Sequence, residues 1–270
     1  MTGQATAWGT EAQQRAMRHI SEYFAAEPGV LALLFSGSIV HGLGSPGSDV
    51  DLNIVITDEL YEEKHKAGAL TYWASGEQFY PGGYFDGKFI TLDYLRLVAE
   101  RGNEPTRFAL HDAAIDFDRT GEVGALLQRI GTYPEDASGE RSLRFLSQLQ
   151  AWRWYCGEAL RKGNRYLLQT AVTKMLLFGG RLILLENRTF FPYHKWLLAV
   201  LEKAQEKPPQ LLLLMERVLE EPTEQHIEEY FQAVLQFRDW ARGREYSWSS
   251  LFVGDIETRW MNSEEFIENL

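Results

Sequence analysis

The chain has 270 residues, 45% of them hydrophobic and 24% charged, with a formal net charge of −11. That composition excludes a disordered chain, and the acidic balance disfavours a general nucleic-acid binder. A single cysteine, Cys156, excludes an internal disulfide framework and fits a reducing compartment. The N-terminus carries no basic-then-apolar leader pattern. No uncharged apolar run reaches the roughly 18 residues of a spanning helix. The nearest attempt, Met175 to Leu185, is broken by Arg181. These features lead us to expect a cytoplasmic protein without a membrane partner.

Residues 9–26 are expected to form a helix. Ala16, Ile20, Tyr23 and Phe24 recur at helical spacing, and Glu27-Pro28-Gly29 ends the pattern. The apolar run Leu31 to Phe35 then reads as a buried strand, broken by Ser36-Gly37-Ser38. A second strand opens at Asp49. Alternation puts Val50, Leu52, Ile54 and Ile56 on one face and Asp49, Asp51 and Asn53 on the other. Two carboxylates on one strand face repel unless a cation lies between them, and a hard, oxygen-seeking ion such as Mg²⁺ suits that pair. Backbone amides freed by Gly37, with the Ser38 hydroxyl, can bind phosphate oxygens that complete the coordination of such an ion. His41, in the same turn, is within reach of a phosphate or base, although a turn histidine is more often a solvated polar residue.

Gly37-Ser38, ten intervening residues, then Asp49-Val50-Asp51-Leu52 resembles the signature of the polymerase-beta-like nucleotidyltransferase superfamily. Within it the likeness is to the small bacterial aminoglycoside and lincosamide nucleotidyltransferases. The resemblance implies two Mg²⁺ ions held by Asp49 and Asp51. It also implies transfer of a nucleoside monophosphate, AMP from ATP being the expected case, to a hydroxyl acceptor with release of pyrophosphate. A third carboxylate on a later strand completes the metal site in that family and in some members takes the acceptor proton.

From Asp58 to Tyr80 the mixed pattern reads as a helix and a loop, with aromatic residues among charges. Asp86-Gly87, flanked by aromatics, is a hairpin signal. On the expected second arm Ile90, Leu92 and Tyr94 share one face, leaving Asp93 inside an otherwise apolar strand, where an uncompensated charge is costly. Asp93 is therefore taken as the third carboxylate, with Asp86 set lower because the turn accounts for it. Asp116 and Asp118 repeat the spacing of the first pair at the end of another short strand. No Gly-Ser element precedes them, so they read as structural. A short helix is expected over 122–131. Gly131 to Gly139 reads as a linker, which sets the domain boundary near 135.

Beyond it helices are expected over 141–162, 165–187, 194–205, 209–220 and 224–242, separated by Gly and Pro breaks and forming a bundle. The expected fold class is thus α+β: a mixed-sheet nucleotidyltransferase domain, residues 1–135, followed by an all-helical domain, 136–270. Residues 1–135 hold 10 Lys+Arg against 19 Asp+Glu, whereas 141–195 hold 10 against 2. An acidic metal-binding half and a basic segment together suit a nucleoside triphosphate, and the active site is expected between the two domains. Lys174, Arg181 and Arg188 follow at intervals of seven and read as a cationic row, with Lys174 and then Lys195 as candidate phosphate contacts. Glu158 is the alternative general base. Residues 248–270, with Trp248, Phe252 and Trp260, are expected to pack back across the bundle. No Gly-x-Ser-x-Gly, zinc spacing or Walker-type Gly-Lys-Ser/Thr competes for the chemistry. Two other functions fit the same residues: adenylyl transfer onto a protein, as in toxin–antitoxin nucleotidyltransferases, and a nucleotide-binding sensor without catalysis. No stable nucleic-acid complex is expected.

Overall fold

The computed structural model describes residues 8–135, 138–261 and 267. The chain divides into two compact units, Met1–Thr132 and Tyr133–Leu270. Asp136 and Ala137 of the expected linker, and 262–266 and 268–270 of the tail, lie outside the described residues.

The first unit opens with helix α1, Glu11–Ala26. Thr10 and Gln13 close a capping box at its start, satisfying two amides that the helix itself leaves free. Its buried face, Ala16, Met17, Ile20 and Phe24, is the periodic set read from the sequence. Then follow β1, Val30–Ser36; a one-turn helix α2, Gly37–Val40; and β2, Val50–Ile56. Helix α3, Asp58–Lys66, leads to β3, Thr71–Ser75, and β4, Tyr84–Ile90. Two further helices, α4 (Leu92–Arg101) and α5 (Glu104–His111), precede β5, Ala114–Asp118, and α6, Val123–Ile130.

The five strands form one mixed sheet in the order β3-β4-β2-β1-β5. Among the described residues only β2 and β4 pair in parallel, because α3 and β3 carry the chain back before β4 is laid down. One sheet face, with Leu33, Phe35, Val50, Leu52, Ile54, Ile56, Phe85 and Phe89, packs on α1. The other face, with Ala32, Leu34, Val55 and Ile90, is covered by Leu95, Val98, Leu126 and Ile130 of α4 and α6. Burying each of the Val, Leu, Ile and Phe side chains stabilises by about 1.5–3 kcal/mol relative to exposure, which fixes the strand register.

The second unit is helical: α7 Ser138–Lys162, α8 Arg165–Glu186, α9 Leu197–Lys203, α10 Leu211–Glu220, α11 Glu224–Leu235 and α12 Trp248–Phe252. The short Gly163-Asn164 connection turns α7 back onto α8, with the Asn164 side chain accepting from the Leu167 amide. Helix α8 is long and apolar enough to cross a membrane by length and composition, but 67% of that stretch is buried inside the protein. It is the central helix of its unit. Tyr230 of α11 lies against Gly179, where any Cβ would collide with the ring, and donates to the Leu176 carbonyl at 3.1 Å.

Several expectations are corrected. The chain does not turn at Asp86-Gly87; β4 runs through both residues and forms its hairpin with β3, across residues 76–83. The strand expected around Asp93 is helix α4, started by Thr91, whose hydroxyl accepts from the Tyr94 amide. Strand β3 replaces part of the loop expected before Tyr80. The last long helix stops at Leu235 rather than 242. Phe252 does pack on Trp152 and Tyr155, but Trp260 is 80% exposed.

Candidate functional site

Asp49 and Asp51 enter the sheet at the start of β2, and Asp51 pairs across the parallel ladder with Asp86 of β4. One carboxylate oxygen from each of Asp49, Asp51 and Asp86 lies within 4.8 Å of the other two. Three oxygens that close, on a face that α4 and α6 leave uncovered at Asp86, form a donor set suited to a hard divalent cation.

Gly37 begins the turn that follows β1, directly beside this cluster. Its φ is +71°, a conformation that L side chains rarely adopt. A Cβ there would overlap the Asp51 carboxylate itself. The glycine therefore serves two needs at once: the turn into α2 and the room that Asp51 occupies. Ser38 follows it, buried. Ser36, paired with Asp51 across β1 and β2, accepts from the Asn53 side chain at 2.8 Å.

The loop carrying Asp49 is tied down from two sides. The buried Gln13 amide on α1 donates to the carbonyls of Ser45 and Ser48, each at 3.0 Å, and the Tyr80 hydroxyl donates to Ser48 at 2.9 Å. Tyr84 stands beside Asp49. The Asp49 charge, together with a hydrogen bond to the same carboxylate, raises the Tyr84 pKa above the usual phenol value. Burial raises Tyr80 likewise, with Asp49 adding to it. Tyr84 lies two residues before Asp86 and therefore on the same strand face, which is the one sequence signal that could have attached it to the site.

Asp93 does not join the cluster. It is exposed in the first turn of α4, bound at 2.6 Å to Arg96, which also holds Glu122 at 2.7 Å. Asp86 occupies the place expected of it. Asp116 accepts from Ser21, and Asp118 accepts from the amides of Thr120, Gly121 and Val123, so both are structural. His41 is stacked on Phe108 with one ring nitrogen 2.7 Å from the Gly37 carbonyl and the other 2.8 Å from that of Phe108. It clasps α2 to α5 rather than facing a ligand. His41, His111 and Asp112 form a second group of metal-ligating types, yet backbone carbonyls face both His41 nitrogens and His111 Nδ1.

In the second unit the expected cationic row is broken. Arg181 is buried between the rings of Phe145 and Phe191, 4.4 and 4.5 Å from their centroids, and Arg188 pairs with Glu135. Lys174 is half-buried on α8, and Lys195 is exposed with its ammonium 5.0 Å from the Trp196 ring. Glu158 is held by Arg161 and Lys162 of its own helix, which lower its pKa.

Residues 103–197 match the family described as "Domain of unknown function (DUF4037)". That span leaves out Gly37, Asp49, Asp51 and Asp86 and crosses the division at Thr132. No curated protein matches the chain. The structure is similar to a nucleotidyltransferase-like protein from Exiguobacterium sibiricum, with a TM-score of 0.45 and 17% identity, over 93% of this chain and 80% of that one.

Proposed function

We propose that the first unit catalyses metal-dependent nucleotidyl transfer: a nucleoside monophosphate, AMP from ATP as the leading case, moves to a hydroxyl of a small-molecule acceptor, such as an antibiotic, and pyrophosphate leaves. The observation that supports this reading is the convergence of Asp49, Asp51 and Asp86 beside a glycine turn that has no room for a side chain. Asp49 and Asp51 hold the cation, and Asp86 completes the set in place of Asp93. Mg²⁺ bound there supplies neutralising charge for the triphosphate and lowers the cost of ionising the acceptor hydroxyl.

The protein's own groups do the rest. Gly37 and Ser38 receive the outer phosphates. Tyr84 holds Asp49 in one orientation, as supporting groups around metal ligands do. The acceptor oxygen bonds to the α-phosphorus while the bond from that phosphorus to the bridging oxygen breaks. The electron pair leaves with pyrophosphate, and the hydroxyl proton passes to Asp86 and on to solvent.

The test is pyrophosphate release with ATP, GTP, CTP and UTP against a panel of hydroxyl acceptors. Mg²⁺-dependent release by the wild type is expected, and Asp49→Asn or Asp51→Asn should lower it by at least roughly 100-fold with the fold intact. Variants that keep wild-type turnover reject the assignment. Labelled ATP in a cell extract then places the label on a small molecule, as proposed, or on a protein band, which moves the acceptor to a protein hydroxyl.

A further inference from the structure

One row of residues runs straight across the sheet: Ser36 pairs with Asp51, Asp51 with Asp86, and Asp86 with Trp73. Paired positions share a sheet face, and in an antiparallel pair such as Asp86 and Trp73 the Cβ atoms stand about 4.5–5.5 Å apart. Trp73 therefore stands beside Asp86 on the edge strand β3. It is 67% exposed, the most exposed large apolar side chain described in the first unit. Single exposed apolar residues are common on any surface. What distinguishes Trp73 is its place one strand from the carboxylates, flanked on the same face by Ser75 and Tyr84 on one side and Thr71 and Lys88 on the other.

We propose that Trp73 is the seat of the acceptor, its indole taking the face of a ring-bearing hydroxyl compound and presenting that hydroxyl at Asp86. The inference rests on the nucleotidyl-transfer reading of the same site. Its physical basis is the geometry of displacement at phosphorus. The attacking and leaving oxygens lie roughly in line on opposite sides of the α-phosphorus, which sits at the carboxylates. The phosphate turn at Gly37 is at the β1 end of the row, and Trp73 is at the other end, three strand spacings or about 14 Å away. A triphosphate tail at Gly37 sends its leaving group towards β1, so the attacking oxygen enters from β3. The first side chain it meets there is an indole, with Thr71 and Ser75 two residues to either side of it on the same face of β3. An aromatic floor with a few polar groups at its rim is the usual build of a small-molecule site.

The experiment uses the full chain with Mg²⁺, ATP, and phenyl β-D-glucoside or glycerol as acceptor, with Trp73→Ala and Trp73→Phe compared to wild type. The expected result is pyrophosphate release that the glucoside stimulates more than glycerol does. Trp73→Ala should raise the glucoside KM about tenfold or more and leave the ATP KM within about twofold, while Trp73→Phe keeps most of the affinity. A second readout is independent of turnover. In protein labelled at its indole nitrogens, with Mg²⁺ and a non-hydrolysable ATP analogue bound, the signal that Trp73→Phe removes should be the one the glucoside shifts. An unchanged glucoside KM in Trp73→Ala, no preference for the ring compound, or a shifted signal other than that of Trp73 overturns the seat. A loss shared equally between glucoside and ATP also overturns it, because the indole would then serve the nucleotide. Failure of the wild type to release pyrophosphate under any of these conditions, with no binding of Mn²⁺, overturns the reading of the site itself and is separate from those outcomes.

Discussion

Asp86 and Asp93 carry the same group and differ only in neighbours. Asp86 has Asp51 beside it in the ladder and Asp49 within reach, whereas Asp93 is neutralised by Arg96 at a solvent-exposed helix start. An exposed ion pair of that kind contributes little, so Asp93→Asn should leave Mn²⁺ affinity and turnover within about twofold. Asp86→Asn should weaken both by roughly 100-fold, read by calorimetric Mn²⁺ titration and by pyrophosphate release. Gly37 is constrained by a different force. In Gly37→Ala the positive φ costs about 1–2 kcal/mol, and the added methyl drives Asp51 from its place. The melting temperature should fall, and the further stabilisation that Mn²⁺ gives the wild type should vanish with it. A Gly37→Ala protein that Mn²⁺ still stabilises would show that Asp51 has somewhere else to go.

At the scale of the element, α6 depends on a residue that precedes it. Burial pushes the Asp118 carboxyl up, but hydrogen bonds from the Thr120 hydroxyl and the amides of Thr120, Val123 and Gly121 outweigh it and hold the pKa below the usual carboxylate range. A carboxyl with a lowered folded value stabilises fully above its unfolded pKa, about 3.9, and loses that contribution as pH falls through the folded value. Urea midpoints should therefore separate wild type from Asp118→Asn most at pH 6 and converge in acid. Asp118→Ala, which also strips the acceptor from the Val123 amide, should cost about 1 kcal/mol at neutral pH. A gap that stays constant down to pH 2 would refute the ionic origin of the contribution.

Across the whole molecule, each unit builds its core from its own residues. The clusters around α1 and around α4 and α6 draw on the first unit, and the cluster around α8 draws on the second. Residues 1–132 produced alone should unfold in one cooperative transition and bind Mn²⁺ with the affinity of the full chain, measured by circular dichroism and calorimetry. A fragment that lacks a cooperative transition would show that the first core is incomplete without the rest of the chain. The burial of α8 belongs to this scale too. The same apolar composition suits a membrane or a protein interior, and the side chains of α7, α10 and α11 packed around it supply the interior.

The sequence by itself determined what depends on neighbours along the chain. The α1 stripe, the alternation in β2, the Gly37-Ser38 turn and the Asp49/Asp51 pair all follow from spacings of two to four residues, and the structure keeps them. The helical second half was legible for the same reason, with its Gly and Pro breaks. The tertiary structure decided which strand lies beside β2. The parallel pairing of β4 sets Asp86 against Asp51, and no local pattern encodes that, since the Asp86-Gly87 dipeptide on its own favours a turn. It also decided that the chain after Ile90 coils into α4, carrying Asp93 away, and that Arg181 is enclosed by two aromatic rings rather than displayed. Local propensity is a weak preference, and burial of Phe85 and Phe89 on the opposite sheet face is worth more than a single turn dipeptide.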